Sequence, residues 1–302
     1  MHFDALTLAA VADELRATLQ GGRVQQVLLP DAKSVGMEIY ANRQRYYLLL
    51  SAHAQAGRAH ITEQKLRRGV ETDTPMLLLL RKYARGAMLE SVEQPIPFER
   101  VLNLHFDHPE HGASTLVLEP MGRLSNLMLL DAAGVIRGVL NPVPPGDNAE
   151  RVLCPSGPTP SPAQDKLPPL DDGSDNYYER LKLALRSDDK LWRALMNGVA
   201  GISPTLAREI AWRVAEDENV PSAQVELLAV AATLQAMWTL PQSGAWQPGV
   251  AVDDDGAVAG YAPTNCTFWA IPCLRRQSAR RLRSSTENVR ATLCAKDAYA
   301  AA

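Results

Sequence analysis

Cysteine is scarce in this chain, and the few that occur show no pairing pattern. The 302 residues contain no C-x-x-C motif and only four cysteines, at Cys154, Cys266, Cys273 and Cys294. Four cysteines are too few to cross-link a chain of this length, so we expect a protein stabilised by its core in a reducing cytosol. The sequence excludes the small disulfide scaffolds of secreted proteins.

Long hydrophobic runs are also missing. The longest purely aliphatic run, residues 76–80, is far shorter than the roughly 20 residues that cross a bilayer. The first residues lack a basic segment followed by an uninterrupted apolar one, and an acidic residue appears as early as Asp4. We therefore expect no export signal and no membrane partner, and hence a cytoplasmic protein.

Neither sign of charge dominates. The chain has 31 Lys and Arg residues against 34 Asp and Glu residues, a net charge of -3, so overall charge by itself indicates no nucleic-acid partner. The 46% hydrophobic and 22% charged content is typical of an ordinary globular protein. A chain of 302 residues suits two compact domains better than one small core.

Apolar spacing and turn-forming residues divide the chain into four predicted parts. Residues 1–145 combine a helix capped by Thr7, a helix from Pro75 to about Gly86 and eight short strands, which predicts an α+β domain of β-sandwich or barrel type. Residues 146–175 are dense in Pro, Gly, Ser and Asp and predict a linker. Residues 176–245 contain four segments with helical periodicity and predict a helical domain, and residues 246–302 are predicted to form a short hairpin and an irregular tail.

Two features could contact phosphate groups, although each has a structural alternative. Gly201 and Ser203 lie in a turn that leads into a helix, and a helix N-terminus binds anions readily; a capped junction that only packs is the alternative. The first domain also has a local surplus of basic residues against only Glu71 and Asp73, and a solvated helix face is the alternative there. These basic residues are Lys65, Arg67, Arg68, Arg81, Lys82 and Arg85.

Two strand ends place carboxylates beside arginines. Residues 119–126 put Glu119, Arg123 and Asn126 around a glycine turn, where such groups can recognise a nucleotide or satisfy each other across a hairpin. Glu99 and Arg100 offer the same pairing at another strand start, where an edge salt bridge is the alternative.

The histidines give little support to a metal site. His105, His108 and His111 cluster in sequence, but a strand followed by His-Pro-Glu-His does not provide ligand geometry, so we expect a polar hairpin tip and no metal. The chain contains no G-x-S-x-G, H-E-x-x-H, P-loop or dinucleotide motif. We expect no catalytic residues.

Several short motifs, in this order, resemble the N-terminal region of the NFACT family, RqcH-like factors also called fibronectin-binding protein A, over roughly residues 2–265. Each motif is weak alone, and together they are specific. Leu124 stands where the family's "MGRHSN" has a histidine. The motifs are Phe3-Asp4 with Leu6, Gly21-Gly22-Arg23-Val24, Leu48 to Ser51 with His53, His60-Ile61-Thr62, Pro75-Met76 with Leu79-Leu80-Arg81-Lys82, Met121-Gly122-Arg123 with Ser125-Asn126, Gln164-Asp165-Lys166-Leu167, and Gly201-Ile202-Ser203-Pro204.

The resemblance implies a factor that binds the large ribosomal subunit still holding peptidyl-tRNA after a stall. Such a factor recruits charged tRNA, in bacteria alanine tRNA, for template-free extension of the nascent chain. Peptide transfer is then the chemistry of the ribosome, so the protein is expected to be no enzyme and to need no cofactor or small-molecule substrate.

The resemblance also implies site residues. The family's tRNA recognition needs an Asp-Arg pair, which Glu99 and Arg100 match, with the glutamate keeping the charge and lengthening the reach. The residues expected to bind tRNA are Glu99, Arg100, Glu119, Gly122, Arg123, Ser125 and Asn126. Those expected to contact the RNA backbone are Arg81, Lys82, Arg85, Gly201 and Ser203.

A DNA-binding or lesion-processing protein is the alternative. The family's architecture is similar to that of the formamidopyrimidine-DNA glycosylases, in which a β-sandwich-like domain precedes a helix-two-turns-helix domain. Those enzymes use an N-terminal proline amine beside a glutamate, whereas this chain begins Met1-His2-Phe3 and lacks a four-cysteine zinc finger, so the nucleophile is lost. The missing export signal disfavours a fibronectin-binding adhesin.

The end of the chain departs from the family's pattern. Full-length members continue into a coiled coil and a further RNA-binding domain, so we expect this chain to be a fragment or a truncated product. From about Ile271 the sequence becomes rich in Arg and Cys. We hypothesise out-of-frame translation there, which family-like residues in a neighbouring reading frame would support.

Overall fold

The computed structural model describes residues 3–143, 153, 165–171, 173–174, 176–186, 189–252 and 258–264. Most of the predicted linker 146–175 and all of the tail from residue 271 therefore lie outside the described residues. Contacts divide the chain into two compact units. The helical unit comprises residues 1–10, 97–99 and 164–302, and the sheet unit comprises residues 11–96 and 100–163.

The first helix, α1, runs over Ala5–Leu19, and its residues are shared between the two units. The apolar positions that predict it, Leu8, Val11, Ala12, Leu15 and Leu19, are all buried. The cap differs from the prediction. Asp4 rather than Thr7 caps the helix, because the Asp4 Oδ1 atom accepts a hydrogen bond from the Thr7 backbone N–H at 2.8 Å.

Nine strands form one antiparallel sheet in the sheet unit, in the order β4-β3-β2-β1-β5-β6-β7-β8-β9. The eight predicted strands are confirmed. The strands are β1 (Arg23–Asp31), β2 (Ser34–Ala41), β3 (Gln44–Ser51), β4 (Arg58–Thr62), β5 (Met88–Glu93), β6 (Leu102–His108), β7 (Gly112–Glu119), β8 (Asn126–Asp131) and β9 (Ile136–Val139).

One strand of this sheet, β4, was not predicted. Its side chains Arg58, His60 and Thr62 are polar and yet 7%, 1% and 4% exposed, a burial that the composition of five residues does not reveal. The blocks β4 to β1 and β5 to β9 meet through one registered pair, Arg23 with Met88. The predicted α+β combination of a large antiparallel sheet with helices is confirmed, with the described strands linked in one hydrogen-bonded order. The sandwich-like packing of the strands stays a prediction.

A second helix, α2, covers Pro75–Tyr83 and connects β4 to β5. Thr74 caps it, since the Thr74 hydroxyl accepts a hydrogen bond from the Leu77 N–H at 3.2 Å. Proline follows at the first helical position, where its missing N–H has no partner to lose. The helix ends three residues before the predicted Gly86, which lies at a φ of +91°.

The helical unit contains five helices and two strands among its described residues. Leu6 from α1 joins a core of buried apolar side chains around Trp238, which is 1% exposed. The predicted helix 221–238 begins later, because a 3-10 turn occupies Ser222–Gln224. The elements are α3 (Tyr177–Ala184), α4 (Leu191–Gly198), α5 (Pro204–Ala215), α6 (Leu227–Trp238), α7 (Leu240–Ser243), β10 (Gly249–Val252) and β11 (Val258–Ala262).

Two of the finer fold predictions stay predictions. The strands β10 and β11 pair antiparallel where a hairpin is expected, but the residues that would form its turn lie outside the described part. The assignment of α3 to α6 to the helix-two-turns-helix type is likewise a prediction. None of the described helices has the length and apolar character needed to span a membrane.

Asp4→Ala should destabilise the helical unit. The Asp4 carboxylate caps α1 and also accepts a hydrogen bond from the Ser203 hydroxyl at 2.6 Å, so we expect a loss of about 1–3 kcal/mol in the free energy of unfolding. Denaturant titration would measure it. Asp13→Ala, which removes the surface ion pair with Arg16, is the control and should cost well under about 1 kcal/mol. Equal stability of the two variants would contradict the capping role.

Candidate nucleic-acid interface

The turn between β7 and β8 carries the polar motif of residues 119–126. Glu119 ends β7 and pairs across the ladder with Asn126, the first residue of β8. Between them Gly122–Leu124 forms a 3-10 turn in which Gly122 has a φ of +63°, a left-handed conformation that favours glycine. The turn exposes Arg123 to solvent.

Two asparagines hold this turn, and we call them the amide clasp. The Asn126 side-chain nitrogen donates to the Asn141 carbonyl at 2.6 Å, and the Asn126 Oδ1 atom accepts from the Asn141 N–H at 2.9 Å. The Asn141 side-chain nitrogen in turn donates to the Ser125 carbonyl at 2.9 Å. Lys33 donates through its Nζ atom to the Asn141 Oδ1 atom. The clasp thereby joins the β7–β8 turn to the end of β9.

The Ser125 hydroxyl lies beneath the turn. Ser125 is 3% exposed, and its Oγ atom has no hydrogen-bond partner among the described residues. Gly57 packs directly against it, because a Cβ atom built on Gly57 would lie 2.9 Å from that oxygen and 3.2 Å from the Pro120 Cα. Close-packed backbone, not solvent, surrounds the hydroxyl.

The predicted tRNA contacts at this turn therefore need correction. Glu119, Ser125 and Asn126 are 3%, 3% and 2% exposed, so their side chains are not available to a large ligand. They hold the turn, while Arg123 and the Gly122 backbone form its surface. A sequence motif identifies the turn but not the direction of each side chain, and this is why the prediction included all of them.

A second predicted site lies at the start of α5 in the helical unit. The Ser203 hydroxyl accepts from the Leu206 N–H at 3.1 Å and donates to the Asp4 Oδ2 atom at 2.6 Å. Ser203 is 7% exposed. Because an internal carboxylate already lies beside this helix start, the structure supports the capped junction over phosphate contact by the Ser203 side chain.

Gly201 brings another predicted residue close to this junction. It has a φ of +74°, and a Cβ atom there would lie 2.8 Å from the Phe98 carbonyl oxygen. The segment 97–99 therefore packs against the turn, and Glu99 beside it is 7% exposed. Glu99 and Arg100 are consecutive but belong to the helical and the sheet unit respectively, with Arg100 half-buried.

The basic residues in and around α2 divide into two groups. Arg81 and Arg68 share one compensating charge, since Asp73 pairs with Arg81 at 2.8 Å and with Arg68 at 2.7 Å. Lys82 and Arg85 are exposed, and no carboxylate pairs with either of them within the described part of the chain. Of the three residues predicted to contact an RNA backbone here, Lys82 and Arg85 offer free positive charge.

Among the described residues, two carboxyl groups have a lowered pKa, that of Asp131 at the end of β8 and that of Asp189 shortly before α4. Backbone hydrogen bonding from Val135, with Ala133 and Arg137, lowers the pKa of Asp131 against a smaller opposing effect of burial. The Lys190 backbone N–H and the Arg193 side chain lower the pKa of Asp189 in the same way. Their contributions to stability are present above a pH of 3.8 and are lost as the pH falls through the lowered values.

Residues 4–292 match the family model of the NFACT N-terminal and middle domains. The chain belongs to the NFACT family. It is 32% identical over 238 residues to the Rqc2 homolog RqcH of Bacillus subtilis, an alignment that covers 76% of this chain and 41% of that protein. It is 34% identical over 160 residues to the Rqc2 homolog RqcH of Streptococcus pneumoniae serotype 2, covering 51% and 29%. The chain thus spans well under half the length of these relatives.

Solved structures of low identity share the fold. The N-terminal part of the fibronectin/fibrinogen-binding protein from Streptococcus suis matches with a TM-score of 0.71 at 24% identity, over 99% of this chain and 98% of that one. The fibrinogen binding protein from Staphylococcus aureus matches with a TM-score of 0.67 at 22% identity, over 95% and 96%. The sheet and helices described above are therefore the NFACT N-terminal fold.

Within this NFACT chain, sequence reasoning missed the residue that completes the clasp. Asn141 is 15 positions from Asn126 in the chain and lies shortly before the predicted linker. A single asparagine after a strand is a weak signal. Only the hydrogen bonds to Asn126 and Ser125 show its role.

Asn126→Ala and Arg123→Ala should differ in their effect on the free energy of unfolding. Asn126→Ala removes one buried hydrogen bond, to the Leu127 backbone, and two part-buried ones, to the Asn141 backbone, and should cost about 1–3 kcal/mol in the free energy of unfolding. Arg123→Ala changes an exposed side chain and should stay within about 0.5 kcal/mol. Denaturant titration compares them. If Asn126→Ala unfolds at the same concentration as the unchanged chain, the clasp does not hold the turn.

Proposed function

We propose that this chain is the RNA-facing part of a ribosome quality control factor that works by binding. Its expected partners are the large ribosomal subunit carrying peptidyl-tRNA and charged tRNA, in particular alanine tRNA. The factor recruits the tRNA for template-free extension of a stalled nascent chain in the cytoplasm. Peptide transfer belongs to the ribosome, and the chain itself is not an enzyme.

Family membership supports the general class of this function. The NFACT relatives at 32% and 34% identity are both named Rqc2 homolog RqcH. The regions that match include the polar turn of residues 119–126 and the turn at residue 201, since the family model covers residues 4–292. Because the chain spans only part of those relatives, the partners and the tailing activity are proposals for this chain.

The observation that carries the proposal is the position of Arg123. Its guanidinium stands on a solvent-exposed turn whose backbone is fixed from below by the amide clasp. A guanidinium has five N–H donors in a planar fork, which suits phosphate oxygens and base edges. A donor on a pre-ordered turn loses little conformational entropy on binding, so a fixed arginine is well suited to recognise a folded RNA.

The overall charge of -3 does not conflict with RNA binding. Asp73 compensates one of the two charges of Arg68 and Arg81, whereas Lys82 and Arg85 in the same sheet unit have no carboxylate partner among the described residues. Local cations, not net charge, decide where phosphate groups bind. The affinity should therefore be phosphate-dominated, modest and strongly dependent on salt.

Alanine tRNA binding to the 302-residue chain tests the proposal. At about 50 and 200 mM salt, the chain should prefer tRNA over a DNA duplex with an abasic or oxidised-guanine lesion, and affinity should fall steeply with salt. Arg123→Ala and Arg100→Ala should each weaken tRNA binding about tenfold and lower the salt slope by about one. Fluorescence anisotropy with labelled tRNA would measure both effects.

Arg45→Ala provides the matched control. Arg45 is an exposed arginine of the same unit, paired with Glu38 at 3.5 Å, and its loss should leave tRNA affinity unchanged within about twofold. Since Arg100 is half-buried, denaturant titration must show that its variant is folded. Preference for the damaged duplex, or its cleavage, would favour the glycosylase alternative instead.

A further inference from the structure

Three aromatic rings meet where the β6–β7 hairpin tip lies beside the end of α2. The rings of His108 and His111 are stacked, with centroids 4.7 Å apart and an angle of 20° between their planes. The Tyr83 ring meets His111 edge-on, with centroids 5.6 Å apart. We call Tyr83, His108 and His111 the ring platform. None of them belongs to the predicted tRNA contacts.

Hydrogen bonds fix the inner ring of this platform. The His108 Nδ1 atom accepts from the backbone N–H groups of Glu110 at 3.1 Å and His111 at 3.3 Å. Because that nitrogen accepts, the His108 Nε2 atom is the one that donates, to the Arg85 carbonyl at 3.2 Å. These hydrogen bonds lock the His108 ring to two backbone segments. The exposed His111 ring lies on it.

The third histidine does not join the platform. His105 lies three residues before His108 on β6, so the two side chains point to opposite faces of the sheet. The His105 Nε2 atom contacts the Glu93 Oε1 atom at 2.8 Å, and its Nδ1 atom contacts the Thr115 hydroxyl at 3.0 Å. The three rings therefore do not converge as metal ligands would.

Two basic residues, Lys82 and Arg85, flank Tyr83 of the platform in the chain. The Lys82 Nζ atom lies 5.1 Å from the Tyr83 ring centroid, and Arg85 follows on the same segment. Neither has a carboxylate partner among the described residues. The exposed carboxylates Asp107 and Glu110 also lie near the tip, so these four side chains together carry no net charge.

We propose that the ring platform binds an unpaired RNA nucleotide by stacking. Aromatic rings beside lysine or arginine are how proteins hold single-stranded nucleic acid, because every base has a π-face and every linkage has a phosphate. A base extends the stack of His108 and His111, while Lys82 and Arg85 bind the adjacent phosphates. Paired RNA offers the cations its phosphates but hides its bases in the duplex, so the surface distinguishes unpaired from paired segments.

The proposal rests on the proposed function only in taking RNA as the ligand. It differs in the surface and in the part of the RNA that binds, since Arg123 is expected to act on a folded tRNA. The two can therefore fail separately.

A fluorescent base detects stacking directly. The probe is a single-stranded RNA of about six nucleotides containing 2-aminopurine, titrated with the 302-residue chain. Stacking on the platform should quench the fluorescence of the probe. An unlabelled single-stranded copy of the oligonucleotide should displace the bound probe about tenfold better than the same sequence in a duplex does. Binding detected by anisotropy without quenching would overturn the proposal.

Variants separate stacking from charge. His111→Ala and Tyr83→Leu should each weaken binding about five- to tenfold and reduce the quench at saturation. Lys82→Ala should weaken binding and lower the salt slope but leave the saturating quench unchanged. His105→Ala, a histidine on the other face of the sheet, is the matched control and should behave as the unchanged chain does. Since Tyr83 is half-buried, the exposed His111 decides the result if Tyr83→Leu fails to fold.

The remaining outcomes assign failure to one proposal or the other. If His111→Ala binds and quenches like the unchanged chain, the platform is wrong even when tRNA binding through Arg123 is intact. If Arg123→Ala leaves tRNA binding unchanged but His111→Ala abolishes the quench, the platform stands and the role proposed for Arg123 falls.

Discussion

The candidate RNA surface depends on one set of hydrogen bonds, those between Asn126 and Asn141. A 3-10 turn of three residues has little intrinsic stability, and this one also needs Gly122 in a left-handed conformation. The two amides tie it to the end of β9 from below, with both partners buried or half-buried. Without this support Arg123 would sit on a mobile loop and lose the orientation that makes a guanidinium selective. The polar residues of the motif therefore divide into one exposed arginine and several buried residues that hold the turn.

Ion pairing makes a similar division in the basic segment. Asp73 pairs with both Arg68 and Arg81, so it compensates one of their two charges and connects the approach to α2 with the helix. Lys82 and Arg85 have no carboxylate partner among the described residues, and the Lys82 Nζ atom lies over the Tyr83 ring. The local electrostatic potential depends on which cations have no carboxylate partner. This is why neither the count of basic residues nor the net charge of -3 locates the surface.

Sequence periodicity predicted the strands and helices well where each has a clear apolar face. The helix α1 and eight of the nine strands of the large sheet follow from 3.6-residue spacing and alternation. The sequence did not predict β4, because its polar side chains Arg58 and His60 are buried by distant packing that no local pattern encodes. For the candidate site, the sequence predicted the turn but not the direction of each side chain. Burial of Glu119 and the contribution of Asn141 both arise from tertiary contacts.

Two family motifs of the helical unit, one around Asp4 and one around Ser203, are explained by the same contact. Asp4 and Ser203 are 199 positions apart and meet at 2.6 Å. One carboxylate thereby caps α1 through the Thr7 N–H and fixes the hydroxyl that caps α5. The conformation of Gly201, pressed against the Phe98 carbonyl, completes this junction. These motifs therefore specify the fold through packing and capping, so they support membership of the NFACT family without locating its ligand. Evidence about RNA must come from exposed groups such as Arg123, whose side chain the fold leaves free to bind.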